Sequence, residues 1–276
     1  MENKQNRGLK RNTIDKFYTI PTIALNCINH IKSNLNIDFK QDLIIEPSAG
    51  NGSFIHGIKT LSEHTVFYDI EPDNKDIIKQ DFLELNLSEI YKEFKKIHFI
   101  GNPPFGKQAS TAIKFIKKCC EYGHSISFIL PKSFKKESMQ KHFDRNFHLI
   151  YETDLNENSF LMNSQICDVP CVFQIWEKKI SKRLVQTKII PTQYKFVKIT
   201  ESPDISFRRI GVYAGKISTE TKDKSTQSHY FIKFTNNKPL EENLKLLESI
   251  QFEFNNTVGP KSISKSELIR EFNKFI

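Results

Sequence analysis

The segment Glu46–Phe54 is a glycine-containing turn with the composition of a ligand-binding loop. It reads Glu46-Pro47-Ser48-Ala49-Gly50-Asn51-Gly52-Ser53-Phe54 and follows directly on a short apolar run. Small residues and glycines let a backbone turn sharply and approach a ligand closely. A Gly-x-Gly turn alone is more often structural, but its place between a predicted strand and a predicted helix favours a nucleoside-type ligand.

An acidic residue, Asp69, ends the next predicted strand, in the sequence Asp69-Ile70-Glu71-Pro72. In dinucleotide-binding folds, an acidic residue at the equivalent position accepts hydrogen bonds from the ribose hydroxyls. Alone, Asp69 would be an ordinary surface carboxylate. The glycine turn and Asp69 occur in order and at the spacing of a βαβ unit, so each supports the other as part of one site.

A third motif, Asn102-Pro103-Pro104-Phe105, follows the apolar run Ile97–Gly101. Its two prolines fix φ and supply no N–H donors. The turn is therefore rigid and presents two acceptors, the Asn102 side-chain oxygen and the Pro103 carbonyl, beside the flat apolar face of Phe105. The tetrapeptide could be only a loop, but its position after a strand and downstream of the glycine turn predicts a catalytic site.

Strands and helices that could position these motifs alternate along the first two thirds of the chain. Apolar runs and amphipathic spacing predict them. The alternation predicts βαβ units, a mostly parallel sheet and helices on both of its faces. Ligands of such sheets bind beyond the carboxyl ends of the strands, where the three motifs fall. Predicted strands cover residues 42–46, 65–69, 97–101, 125–130 and 169–176, and predicted helices cover 19–34, 54–61 and 111–122.

The regular alternation of predicted strands and helices ends after about Lys178. This change predicts a catalytic domain at residues 1–178 and a smaller α+β domain at residues 179–276. In the second domain, Arg208 and Arg209 are candidates for substrate contacts, because arginine binds phosphate bidentately and can read guanine. Strand-like runs cover residues 207–213 and 229–234, a helix is predicted over 240–252, and a capping box at 264–267 opens a final helix.

The net charge and the composition indicate which classes of partner suit the protein. Lys and Arg number 41 against 32 Asp and Glu, a net charge of +9. This balance favours polyanions such as nucleic acid, although a lysine-rich soluble protein has it too. No apolar run reaches the roughly 18 residues that span a bilayer, and the polar N-terminus is no secretory signal, so we expect an intracellular protein. Five cysteines without a CxxC pair predict neither disulfides nor a metal site.

The glycine turn and the Asn102–Phe105 motif together resemble the amino-methyltransferases of the Rossmann-like class, especially their adenine-N6 branch. The segment Lys16–Pro21 is similar to the additional N-terminal motif of that branch, and the order of motifs is the one called the gamma class. The likeness covers residues 16–177. It implies a class I methyltransferase fold with a mostly parallel seven-stranded sheet, S-adenosylmethionine as methyl donor, and a C-terminal target-recognition domain.

The resemblance also implies roles for the residues that match. Asn102 and Pro103 would accept hydrogen bonds from the target amino group while Phe105 stacks on the base. The family often has Tyr where Phe105 stands, so any contact that needs a hydroxyl is excluded. Phe160 would be a second stacking wall, with a buried core position equally consistent with its sequence. For the cofactor, Tyr18 and Thr19 would flank its methionine end, and Glu46 and the Pro47–Gly52 turn would hold its amino and carboxylate groups. Asp69 would contact its ribose and Ile70 its adenine. Asp81 and Phe82 would also contact the adenine.

Methylation of adenine N6 in DNA is the leading function that the resemblance implies. RNA is the first alternative, because the same tetrapeptide occurs in RNA enzymes and no feature of the sequence reads a 2′-hydroxyl. Protein-glutamine methyltransferases also use an Asn-Pro-Pro turn, but the basic charge and the second domain weigh against that substrate. A non-catalytic nucleic-acid-binding protein is disfavoured by the intact set of Asp69, Asp81 and Asn102–Phe105.

Overall fold

The computed structural model describes residues 17–184, 189–252 and 261–276, so residues 1–16 of the predicted catalytic domain lie outside the described residues. The chain divides into two compact units after Leu184 rather than at Lys178. The segment that follows Lys178 stays with the first unit because it is bonded there. The Lys179 and Arg183 N–H groups each donate over 2.7 Å to backbone carbonyls, and the Arg183 guanidinium lies 4.9 Å from the Trp176 ring centroid.

Ten strands make up the sheets of the first unit. In chain order they are β1 (Tyr18–Thr19), β2 (Asp42–Glu46), β3 (His64–Asp69), β4 (Ile78–Lys79), β5 (Lys96–Gly101), β6 (Ser125–Pro131), β7 (Phe147–Asp154), β8 (Phe160–Met162), β9 (Gln165–Cys167) and β10 (Cys171–Lys178). Seven of them form one sheet in the order β4-β3-β2-β5-β6-β10-β7. The first four neighbouring pairs are parallel, and β10 runs antiparallel to both β6 and β7.

Helices cover both faces of this sheet. They are α1 (Pro21–Asn34), α2 (Ile55–Ile58), α3 (Ile90–Glu93), α4 (Ser110–Tyr122) and α5 (Glu137–Gln140). On one face, α4 packs its buried Phe115 and Ile116 into a core with apolar side chains of β5 and β6. On the other, α1 brings His30 to 6.5 Å from the Phe173 ring of β10. The predicted Rossmann-like arrangement, a mostly parallel seven-stranded sheet with helices on both faces, is confirmed.

A small three-stranded sheet, in the order β1-β8-β9, lies beside the large one. Tyr18 and Thr19 of β1 pair antiparallel with Leu161 and Phe160 of β8. The turn between β8 and β9 places Asn163 and Ser164 at positive φ, 50° and 63°. The pairing fixes the N-terminal strand, which the sequence pattern did not predict as a strand.

The second unit is a four-stranded antiparallel sheet packed on two helices. Its elements are β11 (Tyr194–Phe196), β12 (Ile205–Arg208), β13 (Ile217–Ser218), β14 (His229–Phe234), α6 (Leu240–Leu247) and α7 (Lys265–Phe272), with strand order β11-β14-β12-β13. The core gathers Phe207 and Ile232 from the sheet with Leu247 and Phe272 from the helices. The prediction of a smaller α+β domain is confirmed.

Several element boundaries differ from the sequence pattern. The capping box at Ser264 is confirmed, since Ser264 Oγ accepts from the Glu267 N–H over 3.2 Å. The predicted strand 207–213 instead ends at Arg208, because Gly211 turns the backbone at a φ of +97°. None of the helices in the described ranges is both long and apolar enough to cross a membrane.

Candidate functional site

Loops at the carboxyl ends of β2, β3 and β5 surround a cavity of about 280 Å³. Parallel neighbours end at the same edge of a sheet, so the three sequence motifs meet there. All the predicted cofactor and catalytic positions line the cavity except Gly52. Those that line it are Tyr18, Thr19, Glu46, Pro47, Ser48, Ala49, Gly50, Asn51, Asp69, Ile70, Asp81, Phe82, Asn102, Pro103, Pro104 and Phe105.

Gly50 and Gly52 give the turn its shape. At Gly50, with φ +55°, a Cβ atom would lie 2.9 Å from the Tyr18 ring, so a side chain there would force that ring to move. Gly52 does not line the cavity; it has φ +87° and a Cβ there would lie 2.7 Å from Ile55. Gly52 has a conformational role, since positive φ favours glycine, and its predicted ligand contact stays a prediction.

Asp69 ties the glycine turn to the end of β3. Its Oδ2 accepts from the Gly50 N–H over 2.8 Å, and its Oδ1 accepts from the Glu71 N–H over 2.9 Å. A carboxylate has about four acceptor sites, so both oxygens can still accept from a ligand hydroxyl. The adjoining Ile70 is 60% exposed and supplies an apolar wall.

Asp81 and Phe82 close the far end of the cavity. Asp81 Oδ1 accepts from the Leu83 N–H over 2.8 Å and caps a short 3-10 helix, Phe82–Glu84. The Phe82 ring is buried, stacked 5.6 Å from Phe115, and meets Phe99 edge-on. Its ring thus belongs mainly to the core, and the capped turn presents Asp81 to the cavity.

Glu46 is an acid with its side chain buried at the cavity wall. The residue is 2% exposed, and among the described residues its Oε2 has no hydrogen-bond partner. Burial, with a smaller contribution from the negative charge of Asp69, raises the pKa of Glu46 well above its ordinary value. A cation placed against this carboxyl would favour its ionised form.

Asn102 is held in one orientation by the N-terminal strand segment. Its Nδ2 donates to the Phe17 carbonyl over 3.1 Å, which identifies the amide nitrogen and leaves Oδ1 as the free acceptor. Oδ1 is buried and has no partner among the described residues. The backbone carbonyl of Asn102 accepts from Ser48 Oγ over 3.3 Å, which joins the two loops.

Phe105 is half-buried and precedes a constrained loop. Its carbonyl accepts from the N–H groups of Thr111 and Ala112, 3.1 and 3.3 Å away at the start of α4. Between Phe105 and Thr111, Gln108 and Ala109 adopt left-handed φ values of 54° and 60°. Such conformations cost on the order of 1 kcal/mol for residues with a side chain, and the loop holds the Phe105 ring against the core while it also lines the cavity.

Two contributors to the site escaped the sequence analysis. Phe17 acts through its backbone carbonyl, which has no side-chain signature. Asp73 accepts a hydrogen bond from the Tyr18 hydroxyl and so fastens β1 across the cavity. The acidic run after β3 contains Asp73, but its partner is 55 residues away in sequence, so spacing gave no signal.

Phe160 does not line the cavity, which corrects its predicted role as a stacking wall. It is fully buried, and its ring meets the Phe17 ring edge-on with centroids 6.4 Å apart. The pairing of Phe160 with Thr19 fixes the register of β1 and turns the ring into the core. Phe160 therefore supports Phe17, which does line the cavity.

Arg208 and Arg209 lie in the second unit, and the structure assigns them different environments. Arg208 Nε donates to the Ile210 carbonyl over 2.9 Å, so it stabilises its own turn. Arg209 places its guanidinium 5.3 Å from the Tyr230 ring centroid. Neither is among the residues that line the cavity, and their predicted substrate contacts stay predictions.

No known family model matches the chain. Over 98 residues it is 32% identical to ribosomal RNA small subunit methyltransferase A of a Sulfurihydrogenibium species, an alignment of 30% of this chain and 37% of that protein. The chain therefore spans little more than a third of the length of the curated relative it matches.

Solved structures with partial likeness include two proteins proposed to be methyltransferases. One, proposed to act on RNA, is from Pyrococcus horikoshii, with 18% identity, coverage of 64% of this chain and 94% of that one, and a TM-score of 0.43. The other, proposed to be a class I S-adenosylmethionine-dependent enzyme, is from Listeria monocytogenes, with 14% identity, 66% coverage of each chain and a TM-score of 0.45. At these TM-scores neither likeness bears on substrate.

Proposed function

We propose that this protein is an S-adenosylmethionine-dependent methyltransferase that acts on the exocyclic amino group of adenine in nucleic acid, with RNA as the favoured substrate. One observation carries the proposal: Asn102 Oδ1 is a buried acceptor, oriented by the Phe17 carbonyl and unpartnered among the described residues. It stands beside the half-buried ring of Phe105 in one cavity. An acceptor next to an aromatic face suits a flat base that carries an amino group.

The cavity wall fits the cofactor through chemistry that differs at its two ends. At one end, Glu46 Oε2, which has no hydrogen-bond partner among the described residues, suits the ammonium of the methionine moiety. At the other, Asp69 and Asp81 offer carboxylate acceptors to ribose hydroxyls and an adenine amino group, with Ile70 as the apolar wall. When bound, the cofactor supplies an electrophilic methyl group on a sulfonium centre.

In the proposed mechanism, the protein works by orientation and by acceptors fixed before the reaction. An aromatic amine is a weak nucleophile because its lone pair is delocalised into the ring. Asn102 Oδ1 and the Pro103 carbonyl accept from the two amino hydrogens and so favour a localised lone pair on nitrogen. The methyl group that the bound cofactor would supply would pass to this nitrogen, with the electron pair of the broken S–C bond left on sulfur and the surplus amine proton released to solvent.

Phe105 holds the target base during this step. Stacking of a base on an aromatic side chain contributes on the order of 1–3 kcal/mol. The base must be unstacked to reach the cavity, at a cost of a few kcal/mol in a duplex and less in a single strand. Single-stranded or loop segments are therefore the preferred form of substrate.

The name of the curated relative, ribosomal RNA small subunit methyltransferase A, favours RNA over DNA as the substrate. The DNA alternative draws support from the motif resemblance alone. Both polymers are consistent with the net charge of +9, since phosphates of either kind release counterions to a basic surface. The substrate class therefore requires a direct comparison of the two.

The test is transfer from methyl-labelled S-adenosylmethionine to RNA and DNA of the same sequence, followed by nucleoside analysis. We expect N6-methyladenine in RNA, and its loss in Phe105→Ala, with cofactor binding retained. Label in DNA alone would keep the mechanism and overturn the substrate. If calorimetry shows that the cofactor binds but neither polymer is methylated, adenine methylation of nucleic acid is excluded.

A further inference from the structure

The second unit has an open groove of about 430 Å³ that the proposed reaction does not use. It lies between the end of β11, a 3-10 helix at Ile199–Glu201, the start of β14 and the first turn of α7. None of the residues that line it is acidic, whereas Lys198, His229 and Lys265 do line it. The groove therefore suits a negatively charged ligand.

Two of the aromatic rings that line this groove carry cations on their faces. The rings of Phe196 and Tyr230 meet edge-on, with centroids 5.7 Å apart. Lys265 Nζ lies 4.0 Å from the Phe196 centroid, and the Arg209 guanidinium lies 5.3 Å from the Tyr230 centroid. Cation–π contacts of this kind restrain a side chain without using its N–H donors.

The three cations lack ion-pair partners among the described residues, although Glu201 Oε2 accepts from the backbone N–H of Lys198 over 2.6 Å. Within the described residues, neither Lys198, Arg209 nor Lys265 forms an ion pair, and Arg209 Nε is shielded from solvent without a hydrogen-bond partner. Other lysines of the same unit do have carboxylate partners. Lys238 lies 3.2 Å from Glu242, and Lys274 lies 2.7 Å from Glu271.

We infer that this groove binds the phosphodiester backbone of the RNA substrate, with Lys198 and Lys265 as phosphate contacts in the groove and Arg209, over the ring of Tyr230, as a third beside it. Ammonium and guanidinium groups that are restrained over rings and lack carboxylate partners are preorganised for phosphate oxygens. The half-buried rings of Phe196 and Tyr230 line the groove and provide apolar surface for an adjoining base. The inference rests on the proposed function, because it names where the second unit holds that substrate.

The test compares two triple variants with the same change of charge. Lys198→Ala/Arg209→Ala/Lys265→Ala removes the two groove lysines and the adjoining arginine, and Lys238→Ala/Lys245→Ala/Lys274→Ala removes lysines elsewhere on the same unit. Binding of a short, labelled single-stranded RNA is measured by fluorescence anisotropy over a range of salt. Each phosphate contact contributes about 0.7 to the salt slope for a single strand, so the groove variant is expected to lose about 2 from it.

A double variant guards against misfolding through Arg209. Lys198→Ala/Lys265→Ala changes only exposed lysines, and it is expected to lose somewhat more than 1 from the slope. Equal slopes in the groove variants and wild type would overturn the inference, as would an equal loss in the control triple variant. Tighter binding of the same sequence as DNA would overturn the assignment to RNA.

Cofactor titration by calorimetry separates this inference from the proposed function. The groove variants should bind S-adenosylmethionine as wild type does, because their changes lie outside the catalytic cavity. Wild type that binds RNA through the groove but binds no cofactor would contradict the proposed function alone. Intact cofactor binding and methylation, with slopes that the groove variants leave unchanged, would contradict the groove alone.

Discussion

At the scale of single residues, three buried oxygens determine what the cavity can bind. They are Thr19 Oγ1, Glu46 Oε2 and Asn102 Oδ1, and none has a hydrogen-bond partner within the described structure. An unpaired buried polar atom costs about 1–3 kcal/mol. A ligand that donates hydrogen bonds to them removes that cost, and both the cofactor ammonium and the target amino group are donors.

Asn102→Ala tests the acceptor directly. The substitution removes Oδ1 and the bond to Phe17, so we expect kcat to fall by about 100- to 1,000-fold, as when a preorganised electrostatic contact is lost elsewhere. The dissociation constant of the cofactor, measured by calorimetry, should stay within a few-fold. Asn86→Ala, on an exposed turn, is the matched control. Full activity in Asn102→Ala would remove Asn102 from the reaction.

Glu46 predicts how cofactor affinity depends on pH. Its raised pKa means that the carboxyl of the free protein keeps its proton above the ordinary range, whereas binding of an ammonium favours the ionised form. Affinity should therefore rise with pH up to the raised pKa, and binding below it should release a proton. Calorimetry in two buffers of different ionisation enthalpy measures that release, and Glu46→Gln should abolish it. A pH-independent wild type would contradict the role.

The types and spacing of side chains predicted most residues of the cavity from the sequence. Residues that act through their backbone were not predicted. Glu46 and Asp69 end strands of a recognisable βαβ pattern and Asn102 directly follows one, so their shared edge follows from topology. The carbonyl of Phe17 and the contact between Tyr18 and Asp73 depend on how β1 folds back over the site. Any residue supplies a carbonyl, so no residue type marks such a position.

At the scale of elements, β1 and its partner β8 hold Asn102 in place. β1 has only two residues, Tyr18 and Thr19, which pair with Leu161 and Phe160 of β8, and the buried ring of Phe160 supports that pairing. Because β1 is so short, it lacks the alternation of apolar and polar residues by which strands are usually recognised. The same applies to the hairpin of β8 and β9, which the sequence pattern did not predict.

Phe160→Leu distinguishes a core position from a base-stacking wall. Because Phe160 is fully buried, we expect a loss of about 1 kcal/mol in the free energy of unfolding, seen as a lower Tm. The affinity for RNA should stay unchanged, because the ring does not line the cavity. Thermal unfolding and anisotropy measure the two effects. An unchanged Tm with weakened RNA binding would restore the stacking role.

At the scale of the whole molecule, a buried polar chain joins three central strands at the edge opposite the cavity. His98 of β5 lies 2.7 Å from Ser125 Oγ of β6 and 3.2 Å from Asp42 Oδ2 of β2. All three residues are at most 2% exposed. The sequence analysis gave no reason to connect His98 with Asp42, since they are 56 residues apart and meet only because β2 and β5 are neighbours.

His98 is neutral in this network, so the contact with Asp42 is a hydrogen bond rather than an ion pair at neutral pH. Burial lowers the pKa of His98 from 6.5 to about 4, and this outweighs the opposing influence of Asp42, while the positive charge of Lys96 lowers it further. The unfolded chain takes up the proton near pH 6.5 and the folded chain resists it until about pH 4. The contribution of neutral His98 to the free energy of unfolding is therefore fully present above pH 6.5 and is lost as the pH falls towards 4.

Acid unfolding tests this consequence for the whole molecule. Each pH unit within that window costs about 1.4 kcal/mol, so His98 should remove about 3 kcal/mol from the free energy of unfolding between pH 7 and pH 4. Urea unfolding at a series of pH values measures the loss in wild type and in His98→Gln, which should be less stable at pH 7 but flatter with pH. Burial also lowers the pKa of His124, so the difference between the two proteins isolates His98. Parallel curves for wild type and variant would show that His98 takes up its proton in the folded chain as readily as in the unfolded one.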